Sequence, residues 1–281
     1  MKVKILIDSA SDINAEEAKT MGVELIPIEI RFGDEEYLDG VTMLPTQFYD
    51  KLIKSEQLPT TSQINSYTFE EKFDELVGKG YEVVAIILSS RLSGTYCNAV
   101  TASKKFNGKV FVVDSLNASI VERLLCQHAL KLAGEGASAK EIAQELDEVK
   151  RKINFIALLD TLHYLKKGGR ISAITAFAGQ MLSIKPVVSV IDGEVRLIGK
   201  AIGSKKGNNL LKTLVKQKGV DFSMPYGTIY SGNDDSKLSN YIKDSEDIWK
   251  ENAKSLPVYA LGCTIGTHIG PGSIGVAFFE K

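Results

Sequence analysis

Short uninterrupted apolar runs alternate along this chain with stretches whose apolar residues recur every three or four positions, a pattern that predicts strands and helices in turn. The clearest run is Val83-Val84-Ala85-Ile86-Ile87-Leu88, rich in β-branched residues, which predicts a strand covered on both faces as in a parallel sheet. It stops at Ser89-Ser90-Arg91-Leu92-Ser93-Gly94-Thr95-Tyr96, a strand-to-helix turn with Ser93 at the N-cap position and Gly94 leaving room for a ligand or another backbone. Such a turn sets N–H groups and hydroxyls at the positive end of a helix dipole, at the carboxyl edge of a sheet, where anions bind. The runs at 4–7 and 109–113 repeat the strand pattern, and both end in Asp-Ser, at Asp8-Ser9 and Asp114-Ser115.

Between these strands, Asn14 and Glu17 form a capping-box pattern for a helix to Met21, ended by Gly22. Residues 23–32 predict a strand with Pro27 inside, hence an edge or bulge. An acidic loop with Asp39-Gly40, a helix over 46–54 and a hydroxyl-rich loop over 58–63 follow. Phe69, Phe73, Leu76 and Val77 mark a helix, and further helices are predicted over 118–133 and 138–153. The regular alternation implies a doubly wound parallel sheet in a first domain, residues 1–152.

The second half, residues 153–281, predicts a different, mixed α/β domain. A basic turn, Lys166-Lys167-Gly168-Gly169-Arg170, precedes a strongly apolar helix over 171–184 that carries Ile174, Phe177 and Met181 on one side. Residues 187–198 form a hairpin around Asp192-Gly193. Helices over 205–217 and 234–252, a strand over 227–230, a long glycine-rich loop over 258–272 and a last strand over 274–279 complete the chain.

Composition narrows the function. The 281 residues carry 34 Lys and Arg against 35 Asp and Glu, a balance that argues against binding nucleic acid by phosphate neutralisation. The first residues hold too short an apolar run for a signal peptide, and no run approaches the roughly 18 residues that span a bilayer, so the expectation is a soluble cytoplasmic protein. Cys97, Cys126 and Cys263 lack metal-ligand spacing, which predicts reduced thiols and no metal site.

The candidate chemistry has competing readings. Ser93 is either a helix cap or an anion ligand, and His268 sits in a glycine-rich loop of the kind that approaches something closely. His128 fits a core position, Asp8 and Asp114 fit local turn caps, and His163 could belong to the seam between domains. The Arg170 turn is either solvated or a contact patch, and the apolar helix after it either core or the wall of a lipid tunnel. Ser93, His268 and one of Asp8 or Asp114 hold the ingredients of an acyl-hydrolase triad, although Arg91-Leu92-Ser93-Gly94-Thr95 has only one glycine and is not a Gly-x-Ser-x-Gly nucleophile elbow. Alternatively, Thr61, Ser93 and His268 converge as donors on a ligand carboxylate. A phosphotransferase component is a third reading, resting on the α/β layout alone.

Asp8-Ser9-Ala10-Ser11-Asp12, Pro59-Thr60-Thr61-Ser62-Gln63, the stretch from Ser89 to Tyr96, Lys167-Gly168-Gly169-Arg170-Ile171-Ser172, Ile184-Lys185-Pro186 and Ile265-Gly266-Thr267-His268-Ile269-Gly270-Pro271-Gly272 occur in the order found in one family. The chain resembles the DegV family along nearly its whole length. That resemblance implies a two-domain DegV-like α/β fold holding a long-chain fatty acid. It also implies the role of fatty-acid-binding subunit of a bacterial two-component fatty acid kinase, with no cofactor and no catalysis of its own. A separate ATP-dependent kinase subunit would phosphorylate the bound carboxylate. By the same resemblance the head-group ligands are Thr61, Ser93 and His268. The residues' own character adds Gly94, Ile174, Phe177 and Met181 as secondary or tunnel candidates, and charge and position add Arg170 as a candidate contact with the kinase. Transient contact with a membrane surface is compatible with such a role.

Overall fold

The computed structural model describes residues 2–171 and 184–281. The first half comprises β1 (Lys2–Asp8), α1 (Ala15–Met21), β2 (Glu24–Ile26), β3 (Glu29–Phe32), β4 (Glu35–Leu38), α2 (Pro45–Lys54), β5 (Thr60–Ser62), α3 (Ser66–Gly78), β6 (Tyr81–Ile87), α4 (Thr95–Ser103), β7 (Val110–Asp114), α5 (Ile120–Gly134) and α6 (Ala139–Val149). Strands β2, β1, β6 and β7 pair in that order, all parallel, as the apolar runs predict. The run in β6 is continuous because both its faces are covered: Ala85 and Ile87 pack with Phe69 and Phe73 of α3, while Val84 and Ile86 pack with Leu124 and Leu125 of α5. The Asn14–Glu17 capping box forms as expected.

The second half comprises β8 (Ile153–Leu158), α7 (His163–Lys167), β9 (Ile184–Ile191), β10 (Glu194–Ile202), α8 (Ser204–Lys218), β11 (Tyr226–Tyr230), α9 (Ser236–Asp244), α10 (Glu246–Trp249), β12 (Val258–Ala260), α11 (Cys263–Ile269) and β13 (Ile274–Phe279). Its six strands form a mixed sheet in the order β10-β9-β8-β13-β11-β12, antiparallel except for β11 with β12. Asp192 at φ 50 and Gly193 at φ 83 make the tight β9–β10 turn, the left-handed pair that a two-residue hairpin needs. Helix α5 packs on β1 and β6 of the first sheet and on β11 and β13 of the second, so one helix seals both. Among the described residues no helix is long and apolar enough to cross a membrane.

Several boundaries differ from the sequence pattern. Residues 23–32 split at Pro27 into β2 and β3, which join different sheets; the amide of Ile28 turns away to donate to Ser9 Oγ at 2.9 Å. The small sheet β4-β3-β5 occupies what the sequence presents as the acidic loop and the 58–63 loop. Ile153 continues the helical spacing of α6 but is captured by β13, and a 3-10 turn over Lys150–Lys152 ends the helix early. The helix expected over 234–252 breaks at Ser245, whose Oγ donates to the Tyr241 carbonyl at 2.6 Å and accepts from Trp249 Nε1 at 3.0 Å. The glycine-rich loop of 258–272 contains β12 and α11, because its glycines serve close packing: a Cβ on Gly266 would lie 2.7 Å from Phe48 Cε1. The apolar helix expected over 171–184, with Ile174, Phe177 and Met181, falls outside the described residues apart from its two end positions, of which Ile184 belongs to β9.

Candidate functional site

A cavity of about 310 Å³ opens between the two sheets. Thr61, Ser93, Gly94, Arg170 and His268 all line it, with Gln63 and Ser119 as further polar wall. The apolar wall comes from Leu88 and Leu92 on one side and Phe155, Leu165, Val188, Val190, Val195, Ile265 and Ile269 on the other. Residues separated by some two hundred positions thus share one space, with hydroxyls, an imidazole and a guanidinium set against an apolar surface.

Each polar group is placed by local structure. Thr61 is the middle residue of β5, paired with Ile30 of β3. Its Oγ1 meets His268 Nε2 at 3.1 Å. Ser93 lies in the turn after β6, where the amides of Leu92 and Ser93 both donate to the Ser89 carbonyl. Helix α4 starts at Thr95 with Gly94 as its N-cap residue, so Ser93 stands one residue earlier than the N-cap position assigned from sequence. The Ser93 hydroxyl still accepts from the Thr95 amide at 3.2 Å and pairs with Thr95 Oγ1 at 2.9 Å. Gly94 has no side chain because Gln63 lies across it; an added Cβ would overlap Gln63 Oε1.

His268 stands at the end of α11, largely enclosed. Its Nδ1 faces the Gly168 backbone, where a Cβ would collide with the ring, and has no hydrogen-bond partner among the described residues. Burial first, and the Arg170 charge second, lower the imidazole pKa to about 4, so the ring is neutral at pH 7. Arg170 is half-buried and donates to the Gly168 carbonyl at 2.6 Å and to the Leu92 carbonyl at 3.4 Å, which turns the basic loop toward the cavity.

These bonds do not assemble a hydrolase triad. His268 Nε2 is engaged by Thr61, and Ser93 Oγ by Thr95. Asp8 accepts from the amide of Ala10 in its own turn and from that of Leu88 beyond β6, and Asp114 from the amide of Leu116 in its own turn and from that of Ser90 beyond β6. Each therefore caps a turn locally and also ties it to the neighbouring strand end. His128 is a buried core residue against Phe279, and His163 is exposed beside Tyr164. Among the described residues no group of His, Cys, Asp or Glu is arranged to hold a metal ion. What the arrangement offers is neutral donors beside one cation, at the polar end of an apolar space.

Sequence reasoning missed Ser119 and most of the apolar wall. The signal for the wall was present in the hairpin: Val190 and Val195 are directly paired, so both point to one face, and Val188 joins them by period-two alternation. Ser119 carried no such signal. Its backbone at φ 64, ψ −143 is rare for a residue with a side chain, and is held by its amide donating to the Ala10 carbonyl at 2.6 Å and its hydroxyl donating to Asp12.

Comparison with known proteins agrees with this architecture. A family model described as "Uncharacterised protein, DegV family" matches residues 2–281. A DegV domain-containing protein from Caldanaerobacter subterraneus subsp. tengcongensis is 36% identical over 282 residues, covering 100% of this chain and 99% of the relative. Among solved structures, a DegV family protein from Thermus thermophilus, described by its fatty acid binding, superposes with a TM-score of 0.87 at 29% identity, covering 100% of both chains. DegV of Bacillus subtilis, described as a fatty acid binding protein, gives a TM-score of 0.83 at 26% identity, again covering 100% of both. With a family match over residues 2–281 and an α/β fold shared across the whole of both compared chains, this chain belongs to the DegV family.

Proposed function

We propose that the protein binds a long-chain fatty acid in the cavity between its sheets, where residues 1–152 meet residues 153–281. In this reading the carboxylate lies at Thr61, Ser93 and His268, with the Arg170 charge nearby, and the acyl chain runs along the apolar wall. The observation that carries the proposal is the joining of Thr61 and His268 at 3.1 Å on the same cavity surface as Ser93 and a set of valines. The fatty acid binding described for the Thermus thermophilus and Bacillus subtilis proteins supports the choice of ligand class.

The physical balance is favourable. Burying about 14 methylenes at roughly 0.8 kcal/mol each supplies ample affinity, so the polar groups need only hold and orient the head group. Neutral donors do this without removing the carboxylate's nucleophilic character. A carboxylate so held is suited to in-line attack on a γ-phosphate. The chain contains no Gly-x-x-x-x-Gly-Lys-Ser/Thr loop with which to bind that nucleotide itself. We therefore assign it the role of presenting the acid to a separate ATP-dependent kinase subunit, in the cytoplasm, with the Arg170 turn as candidate contact surface.

Mass spectrometry of a denaturing extract of gently purified protein tests the ligand. A stoichiometric long-chain fatty acid is expected. A ligand-free extract together with no uptake of added oleate or palmitate would overturn the assignment, and covalent labelling of Ser93 by a fluorophosphonate with turnover of an acyl ester would replace it with hydrolysis.

A further inference from the structure

We propose that Asp39 and Asp12 are positioning residues for the head-group end of the cavity, acting through the helix that carries His268; the proposal rests on the fatty-acid reading above.

The helix α11 that carries His268 is short and belongs to the second half of the chain, yet its first amides are capped by carboxylates from the first half. Asp39 accepts from the Cys263 amide through Oδ1 and from the Thr264 amide through Oδ2, both at 3.0 Å. Asp12 accepts from the Gly262 amide at 2.8 Å through Oδ1, and through Oδ2 from the hydroxyl of Ser119, which lines the cavity. All four side-chain oxygens are thus engaged, and both residues are buried. A bidentate carboxylate on two successive amides fixes both the axial position and the rotation of a helix end, which a single bond does not.

Further contacts hold the start of α11 to the segment that carries Asp39, while α7 packs against its other end. Tyr49 donates to the Leu261 carbonyl at 3.3 Å, Cys263 Sγ to the Met43 carbonyl at 3.4 Å, and Gly266 lies against Phe48 and Tyr49. These residues flank Asp39 in the segment that runs from β4 into α2. Asp39 is itself tied to the sheet side, its amide donating to the Ile28 carbonyl at 3.0 Å. His268 lies one turn beyond Thr264 on α11, so a rotation or slip at the capped end moves the imidazole relative to Thr61. A small shift of that kind breaks a 3.1 Å hydrogen bond and changes what the cavity offers a carboxylate.

The test is a double-mutant cycle between Asp39→Asn and His268→Ala, read by oleate affinity, with 15N shifts of the His268 ring recorded on the ligand-free proteins. Asp39→Asn keeps the shape but has one acceptor oxygen for two amides. Expected are an affinity loss of about ten-fold in the wild-type background, little further loss in the His268→Ala background, and displaced His268 ring shifts; Asp39→Ala should exceed Asn in each. Wild-type affinity and ring shifts with only a lowered melting temperature would overturn the proposal, as would full additivity in the cycle. Should the Asp39 variants fail to fold, Asp12→Ala is judged by the same cycle and shifts. If wild-type protein does not bind oleate, the fatty-acid reading fails, and the ring shifts alone decide whether Asp39 sets the imidazole.

Discussion

The two halves of the chain bring different chemistry to one cavity. The first half contributes the hydroxyls of Thr61, Ser93 and Ser119, mostly from loops and a sheet edge. The second contributes Phe155, Val188, Val190 and Val195, which project from the sheet, together with His268 and Arg170. The difference follows from topology. Parallel strands must end in loops at one edge, where freed amides and hydroxyls gather, and Ser93 and Ser119 stand in such loops after β6 and β7, whereas Thr61 comes from the small antiparallel sheet. The β9–β10 hairpin instead presents a whole face of alternate side chains, from which Val188, Val190 and Val195 supply much of the apolar wall.

The strongest way to break this division is to place charge on the wall. Val188→Asp should cost about 3 kcal/mol or more of stability and abolish oleate binding, read by denaturant titration and by ligand uptake. Retained wild-type affinity would mean that the acyl chain does not use the hairpin face.

Next in size is a pH effect that belongs to the polar end. The His268 pKa is lowered from 6.5 to about 4 on folding, so between those values the unfolded chain binds a proton that the folded chain refuses. Stability from this group is therefore full above 6.5 and falls as pH drops towards 4, by about 3 kcal/mol at most. Asp8 and Asp12, raised to about 7 chiefly by burial, act in the opposite sense, their cost growing as pH rises from 3.8 towards 7. The His268 contribution is isolated by comparing wild type with His268→Gln: the difference in unfolding free energy should change with pH between 4 and 6.5 and level off above.

A smaller change separates the two ends. Ser93→Ala and His268→Ala should each weaken fatty acid binding by about 1 to 3 kcal/mol with the fold retained, measured by calorimetry. Unchanged affinity in both would put the head group elsewhere. The smallest effect is expected where the halves touch outside the cavity. Arg91 bridges to Glu194 at the hairpin tip with its side chain 61% exposed, so Arg91→Ala should cost well under about 1 kcal/mol; a larger loss would show that the tip governs the cavity.

Much of this was legible in the residues. Continuous apolar runs announced β1, β6 and β7 because a strand covered on both faces has no polar alternation to hide it. Asp192-Gly193 announced the hairpin because few residues accept its backbone. Less legible were features decided by distant partners: the small sheet around Thr61, the start of β8 at Ile153, and helix α11, whose glycines read as a loop until Phe48 and Tyr49 are seen against them. Thr61, Ser93 and His268 stood out through the family motifs, and the fold brings them to one wall. Ser119 was silent, since nothing local distinguishes it from a cap.

Helix α5 carries a consequence for how the protein can be divided. Its Ile120, Val121, Leu124 and Leu125 belong to a core that includes strands of both sheets. Cutting the chain near residue 152 would leave that helix with a bare flank on one fragment and the second sheet uncovered on the other. Neither piece should hold its native packing alone, since each would expose core that the other covers in the whole chain.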